Sequence, residues 1–244
     1  MVEFRTILIT LMTIIIVGLV ILLFYEFAYG DGTLYKSSRV VPYKTSVRLI
    51  DALHSGKDYM KIDSALPLSS NEDEGIEFSY AASISVDDYA WEAGSDYPII
   101  FVKGSSDLSR QSPSVSMRKG SNSIIVAQDT YDSEKPGIVI IRNLPAGKII
   151  SLAICVKQTS MDVYVNGTLY AHLTLAALPM QNTGSVLVGD NGGWLGSIGN
   201  FVYYNYALSY NEIQTLANKK PERSSEDIPP YGPYFSPSWW VGGN

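Results

Sequence analysis

The dipeptide Asn166-Gly167 sits between two runs of alternating apolar and polar residues, "MDVYV" and "TLYAHL". Both central positions of a type I′ turn need positive φ, which Asn and Gly tolerate best, so the spacing predicts a tight β-hairpin. The turn also sets a register. Val165 is expected opposite Thr168 and Val163 opposite Tyr170 on one face, with Tyr164 opposite Leu169 on the other. "NGT" is in addition an N-glycosylation acceptor at Asn166, which matters only if the domain enters a secretory lumen.

From residue 58 onward the chain consists of short β-branched and aromatic runs separated by Gly, Pro, Ser, Asn and Asp, with almost no helical periodicity. Strands are predicted over 59–62, 76–86, 98–103, 114–118, 123–128, 138–142, 149–157, 161–165, 169–175, 186–189 and 196–204. Turn signals every eight to twelve residues imply an all-β fold of two antiparallel sheets packed face to face. After the last strand, "SYNE" forms a capping box in which Ser209 caps a short helix, Tyr210 to Ala217, and Glu212 reaches back. Ile213, Leu216 and Ala217 share the side of that helix expected to lie on a sheet.

The N-terminus is of another kind. Thr6 to Phe24 is a run of nineteen residues without a charge, and a helix of about 20 apolar residues spans a bilayer core. A retained single-pass transmembrane helix is therefore expected, with Phe24, Tyr25, Phe27 and Tyr29 at the interface. Arg5, Lys36 and Arg39 are too few charges to set its orientation. The expected organisation is an anchor over 1–29, a linker and lead-in over 30–57, a β-sandwich over 58–220 and a Pro- and aromatic-rich tail over 221–244.

Composition excludes several chemistries. The 18 basic and 24 acidic residues leave a net charge of −6 with no basic stripe, so nucleic acid is not an expected partner. Cys155, the one cysteine, lies inside the apolar run "IISLAICV" and reads as a core residue. The two histidines, His54 and His172, assemble no zinc site at a usual spacing, and no cofactor is expected.

"MDVYVNGTLYAHLTL" followed by "GSVLVGDNGGWLGSIGNFVYYNYALSYNEI" resembles the laminin-G-like, concanavalin A-like jelly-roll domains, in the "vYvNG" hairpin, the "G.i" strand and the "YN.ALS..EI" exit. "LPAGKIISLAICVKQ" is similar to their preceding strand, with Ile149 where a Trp is often found. The resemblance implies a jelly-roll sandwich for about residues 70 to 217. An anchor, such a domain and the ending "PPYGPYFSPSWW" together resemble membrane-anchored virion proteins of large DNA viruses of algae and protists.

Three functions are open to such a chain. The first is a membrane-anchored structural or docking protein, a minor capsid protein that joins an internal virion membrane to the shell. Its partners would be membrane lipid and capsid proteins, and Tyr231, Tyr234, Phe235, Trp239 and Trp240 would be the docking anchors, since aromatic residues supply large contact area at little entropic cost. The alternative is a surface lectin. The turn "GDNGGW" would then offer Trp194 for stacking on a sugar ring, with Asp190 and Asn191 as oxygen ligands for the glycan or for calcium, although one carboxylate makes a poor calcium cage. The third, a glycoside hydrolase, is disfavoured. Its two carboxylates must flank one bond, whereas Glu72, Asp73 and Glu74 read as a solvated turn and Asp87-Asp88 as a strand-end pair facing opposite ways.

Overall fold

The computed structural model describes residues 2–29, 43–63, 65–72, 75–87, 97–118, 120–132 and 134–221. The chain divides into two units, Met1–Val41 and Pro42–Asn244.

The first unit contains α1 (Val2–Tyr29), 28 residues long. Leu8, Ile9, Leu11, Ile14, Ile16, Leu19 and Ile21 are all exposed, so the described stretch 8–22 of α1 is apolar around its circumference. The hydroxyls of Thr10 and Thr13 donate to the carbonyls of Thr6 and Ile9, at 2.8 and 2.7 Å. Side chains are described without a break only over 8–22, roughly 22 Å at the rise of an α-helix. Among the described residues no helix is long and apolar enough to cross a membrane.

The second unit is a two-sheet jelly-roll sandwich. Its strands are β1 (Ser46–Ile50), β2 (His54–Ser55), β3 (Met60–Ile62), β4 (Ser70–Glu72), β5 (Gly75–Val86), β6 (Ile99–Gly104), β7 (Gln111–Met117), β8 (Ile124–Gln128), β9 (Gly137–Ile141), β10 (Ile149–Lys157), β11 (Ser160–Val165), β12 (Thr168–Thr174), β13 (Ser185–Val188) and β14 (Gly196–Tyr204). One sheet runs β1-β14-β5-β10-β11-β12, with β2 on β14 and β4 on β5; the other runs β3-β13-β6-β7-β8-β9. Every pairing is antiparallel.

Period-two patterning explains how the faces are used. On β5, Phe78, Tyr80, Ala82, Ile84 and Val86 enter the core between the sheets, and on β10 Ile150, Leu152, Ile154 and Val156 do the same. The intervening positions of β5 are Ser79, Ala81, Ser83 and Ser85, small enough to let a second layer approach. That layer is α2 (Tyr210–Asn218), whose Ile213 and the preceding Leu208 pack on Ala81, Ala153, Cys155 and Tyr164. The expected capping box forms: Ser209 Oγ accepts from Glu212 N, and Glu212 accepts from Ser209 N at 2.8 Å.

Two expectations need correction. The lead-in over 30–57 is not all linker, because β1 pairs with β14 from Ser46↔Tyr204 and β2 pairs with it at Ser55↔Ser197. Buried Asn205 fixes the entry, accepting from Thr45 N and donating to the Tyr43 carbonyl. In the hairpin, Asn166 and Gly167 have φ of 50° and 79°, and Val165↔Thr168 and Tyr164↔Leu169 pair as expected. Val163, however, faces Ala171 instead of Tyr170. Tyr170 is the extra residue of a bulge. Its hydroxyl accepts from Arg142 N at 3.0 Å and donates to the Ile140 carbonyl, which ties edge strand β12 to the other sheet at β9.

Candidate functional site

The sequence directs attention to the turn after β13, and the structure closes that turn. Trp194 is 1% exposed. Its indole N–H donates to the Ser85 carbonyl at 2.8 Å, and its ring abuts Gly56. No ring face is free to stack on a sugar, so Trp194 is a core residue. Asp190 Oδ1 accepts from Asn191 N, and the Asn191 side-chain amide donates to the Tyr97 carbonyl. Asp190 Oδ2 is buried without a partner. One spare carboxylate oxygen does not fit a calcium ion, which takes six to eight oxygens. Among the described residues no group of three or more His, Cys, Asp or Glu could hold a metal.

A row of chemically suggestive residues crosses the outer face of the larger sheet, where Ser79 pairs with Cys155, Cys155 with Asp162 and Asp162 with His172. It carries no nucleophile. The Ser79 hydroxyl donates to the Tyr206 carbonyl and accepts from Leu208 N. Burial beneath α2 pushes the Cys155 thiol up to about 11, which removes its thiolate at neutral pH. Asp162 holds His172 Nδ1–H at 2.5 Å and faces Lys157 at 3.7 Å, a strand-to-strand tether.

The concave site lies elsewhere. A cavity of about 210 Å³ opens between the sheets where β5 and β14 face β6 and β7, beneath residues 65–68 and 181–183. Tyr80, Lys103, Ser112, Gln181, Asn182 and Tyr203 supply its polar lining. Its floor is aromatic: Tyr80 and Tyr203 rings lie 5.0 Å apart, and Tyr80 stacks on Phe101 at 6.1 Å. The Tyr203 hydroxyl donates to the Pro67 carbonyl at 2.9 Å. Burial pushes its pKa up to about 12 and that of Tyr80 well above the ordinary value, so both stay neutral donors. Gln181 Oε1 accepts from Ser69 Oγ, Ser112 Oγ donates to the Met180 carbonyl, and Asn182 bridges the Lys103 carbonyl and Gly184 N. The Lys103 ammonium donates to the Gly184 carbonyl. Burial alone lowers its pKa.

Convergent polar groups over an apolar floor are the ordinary make-up of a ligand site. The volume is below the roughly 300 Å³ at which drug-sized ligands begin to fit, which suits a single sugar ring or another small polar molecule. None of these residues stands out in the sequence. Lys103 closes the apolar run "PIIFVK", the one available signal, and a lysine there reads equally well as a strand end. The expected docking residues Tyr231, Tyr234, Phe235, Trp239 and Trp240 lie outside the described residues, as do Asp73, Glu74, Asp88 and the side chain of Glu72.

A family model described as the concanavalin A-like lectin/glucanases superfamily, of laminin G type, matches residues 54–214. No curated protein sequence matches. Similar solved structures include the binding domain of botulinum neurotoxin DC in complex with SialylT, at 14% identity and a TM-score of 0.50 over 74% of this chain and 43% of that one. Another is a mutant of HCR/D, at 15% identity and a TM-score of 0.51 over 71% and 46%. The botulinum neurotoxin serotype G binding domain aligns at 14% identity and a TM-score of 0.49 over 68% and 46%. The chain spans about half the length of these solved domains. At such identities the likeness is one of fold. The family match agrees with the laminin-G-like, concanavalin A-like resemblance in the sequence, and it bears on the lectin-like alternative rather than on the minor capsid reading.

Proposed function

The chain belongs to the concanavalin A-like lectin/glucanases superfamily, and from that premise we propose that it is a membrane-tethered, lectin-like binding module that takes a small carbohydrate unit in the cavity between its sheets. The observation that carries this reading is the gathering of hydroxyl, amide and ammonium groups from both sheets around one concave space. Hydroxyl-rich ligands need such groups in fixed positions, because each buried polar atom must find a partner. Here Asn182 and Gln181 are themselves pinned by hydrogen bonds, so the lining is ordered before a ligand arrives. The botulinum neurotoxin binding domain in complex with SialylT shares this fold over 43% of its length, which is in keeping with the carbohydrate class. The reading is one of binding without turnover, and the cavity's described polar lining consists of hydroxyl, amide and ammonium groups.

Tethering is supported by α1. The charge-free run Thr6 to Phe24 has nineteen residues, close to the length of a bilayer-spanning helix. A helix apolar on all sides has no solvated face, and the back-bonded Thr10 and Thr13 hydroxyls are already satisfied within it. The full chain should resist carbonate extraction from membranes and need detergent.

The test of binding is a glycan array probed with the full chain in detergent. Binding to one terminal sugar class should disappear in Thr183→Trp, which places a bulky ring at the exposed rim of the cavity. Undiminished binding by that variant would move the site elsewhere.

A further inference from the structure

Lys103 is 8% exposed, yet among the described residues no carboxylate pairs with it and no acidic side chain lines the cavity it faces. The Gly184 carbonyl takes one of the three N–H donors of its ammonium. By contrast, among the described residues Arg48, Lys61, Lys135 and Lys157 each meet a carboxylate, at 2.7 to 3.7 Å. A buried charge without a counter-ion is costly, and proteins retain one where it is paired or used. Tyr80 lines the same cavity, with a hydroxyl that takes part in none of the described hydrogen bonds.

We infer that the cavity selects an anionic sugar, a pyranose carrying a carboxylate, which Lys103 receives as counter-ion with the Tyr80 hydroxyl as a neutral second donor. This rests on the carbohydrate reading of the cavity and names the ligand class within it. Charge-assisted hydrogen bonds are about twice as strong as neutral ones, and the aromatic floor of Tyr80 and Tyr203 lowers the local polarity in which the pair would form. The cavity volume of about 210 Å³ limits the ligand to one ring. Burial also lowers the Lys103 pKa, so capture should weaken as the pH rises through that lowered value, before an ordinary lysine would lose its proton.

The experiment compares sugars that differ only at C6: glucuronate against glucose, and galacturonate against galactose. Each is titrated into the full chain in nanodiscs, together with the Lys103→Gln, Lys103→Arg and Thr183→Trp variants. One uronate should bind at least tenfold more tightly than its neutral partner. Lys103→Gln should erase that preference, and Lys103→Arg should keep part of it. Equal binding of acid and neutral sugars, both lost in Thr183→Trp, would overturn the anion while leaving the cavity reading in place. Binding of no sugar by the unaltered chain would overturn both. Should Lys103→Gln fail to fold, the Nζ resonance of ¹⁵N-lysine-labelled unaltered chain decides. A shift with uronate and none with the neutral sugar supports the pairing, and the same response to both contradicts it.

Discussion

Gly56 and Trp194 touch so closely that a Cβ on the glycine would stand 2.5 Å from two carbons of the indole ring. The contact locks β2 and the turn after β13 together, with the backbone N–H of Trp194 donating to the Gly56 carbonyl at 3.1 Å. Gly56→Ala should therefore cost about 1–3 kcal/mol by overpacking, and Trp194→Ala about 3–5 kcal/mol through the void it leaves. Denaturant titration checks both. A Trp194→Ala variant of unchanged stability would mean that the indole is not in the core.

The capping box gives a pH signature. Burial raises the Glu212 pKa, but hydrogen bonds from the Ser209 hydroxyl and backbone N–H and from the Tyr206 hydroxyl, with the Lys44 ammonium near, hold it below the usual 4.5. A carboxylate depressed in the folded state contributes stability that is present above about 4.5 and is lost as the pH falls through the lower folded value. Glu212→Gln should flatten that acid limb, and Ser209→Ala should cost about 0.5–2 kcal/mol at neutral pH. Thermal melts of the three proteins between pH 3 and 7 test this; parallel curves for Glu212→Gln and the unaltered chain would contradict it.

Cys155 should be inert. It is fully buried, and burial holds its thiol at about 11, so a thiol reagent at pH 8 should label it only as fast as the domain unfolds. Prompt stoichiometric labelling of the native chain would show that α2 does not cover it.

Asn166 is exposed at the hairpin tip, with its side-chain carbonyl taken by Ser151 N at 2.9 Å. The side-chain nitrogen enters no described hydrogen bond, so the acceptor is presented for glycosylation. Expression through a secretory pathway should add one glycan-sized mass step that Thr168→Val removes. Thr168 is the better site to change, because the αL turn residues Asn166 and Gly167 stay intact. No mass step in the secreted chain would contradict the proposal.

The sequence spoke most clearly where one local rule had no competitor. Asn166-Gly167 dictated a turn, "SYNE" a capped helix, and the alternating runs the strands from β5 onward, with ends within three residues of those observed. It spoke poorly where structure depends on distant partners. β1 has the pattern of any short apolar stretch, and becomes a strand because β14 offers an edge from Phe201 to Tyr204. The Tyr170 bulge answers to a hydrogen bond 28 residues away. Trp194 beside three glycines is open to both a stacking surface and a core or rim position, because nothing local reveals that Gly56 and Ser85 close over it. The cavity combines Tyr80, Lys103, Ser112, Gln181 and Tyr203 from five separate segments, and only the sandwich topology brings them together.

The central claim is that carbohydrate is held between the sheets, and two-dimensional NMR of the full chain in detergent, titrated with a bound monosaccharide, tests it most directly. The account predicts shifts concentrated on Tyr80, Lys103, Ser112, Gln181 and Tyr203, with the Asp190–Trp194 turn unmoved. Shifts confined to that turn, or to the face covered by α2, would contradict it.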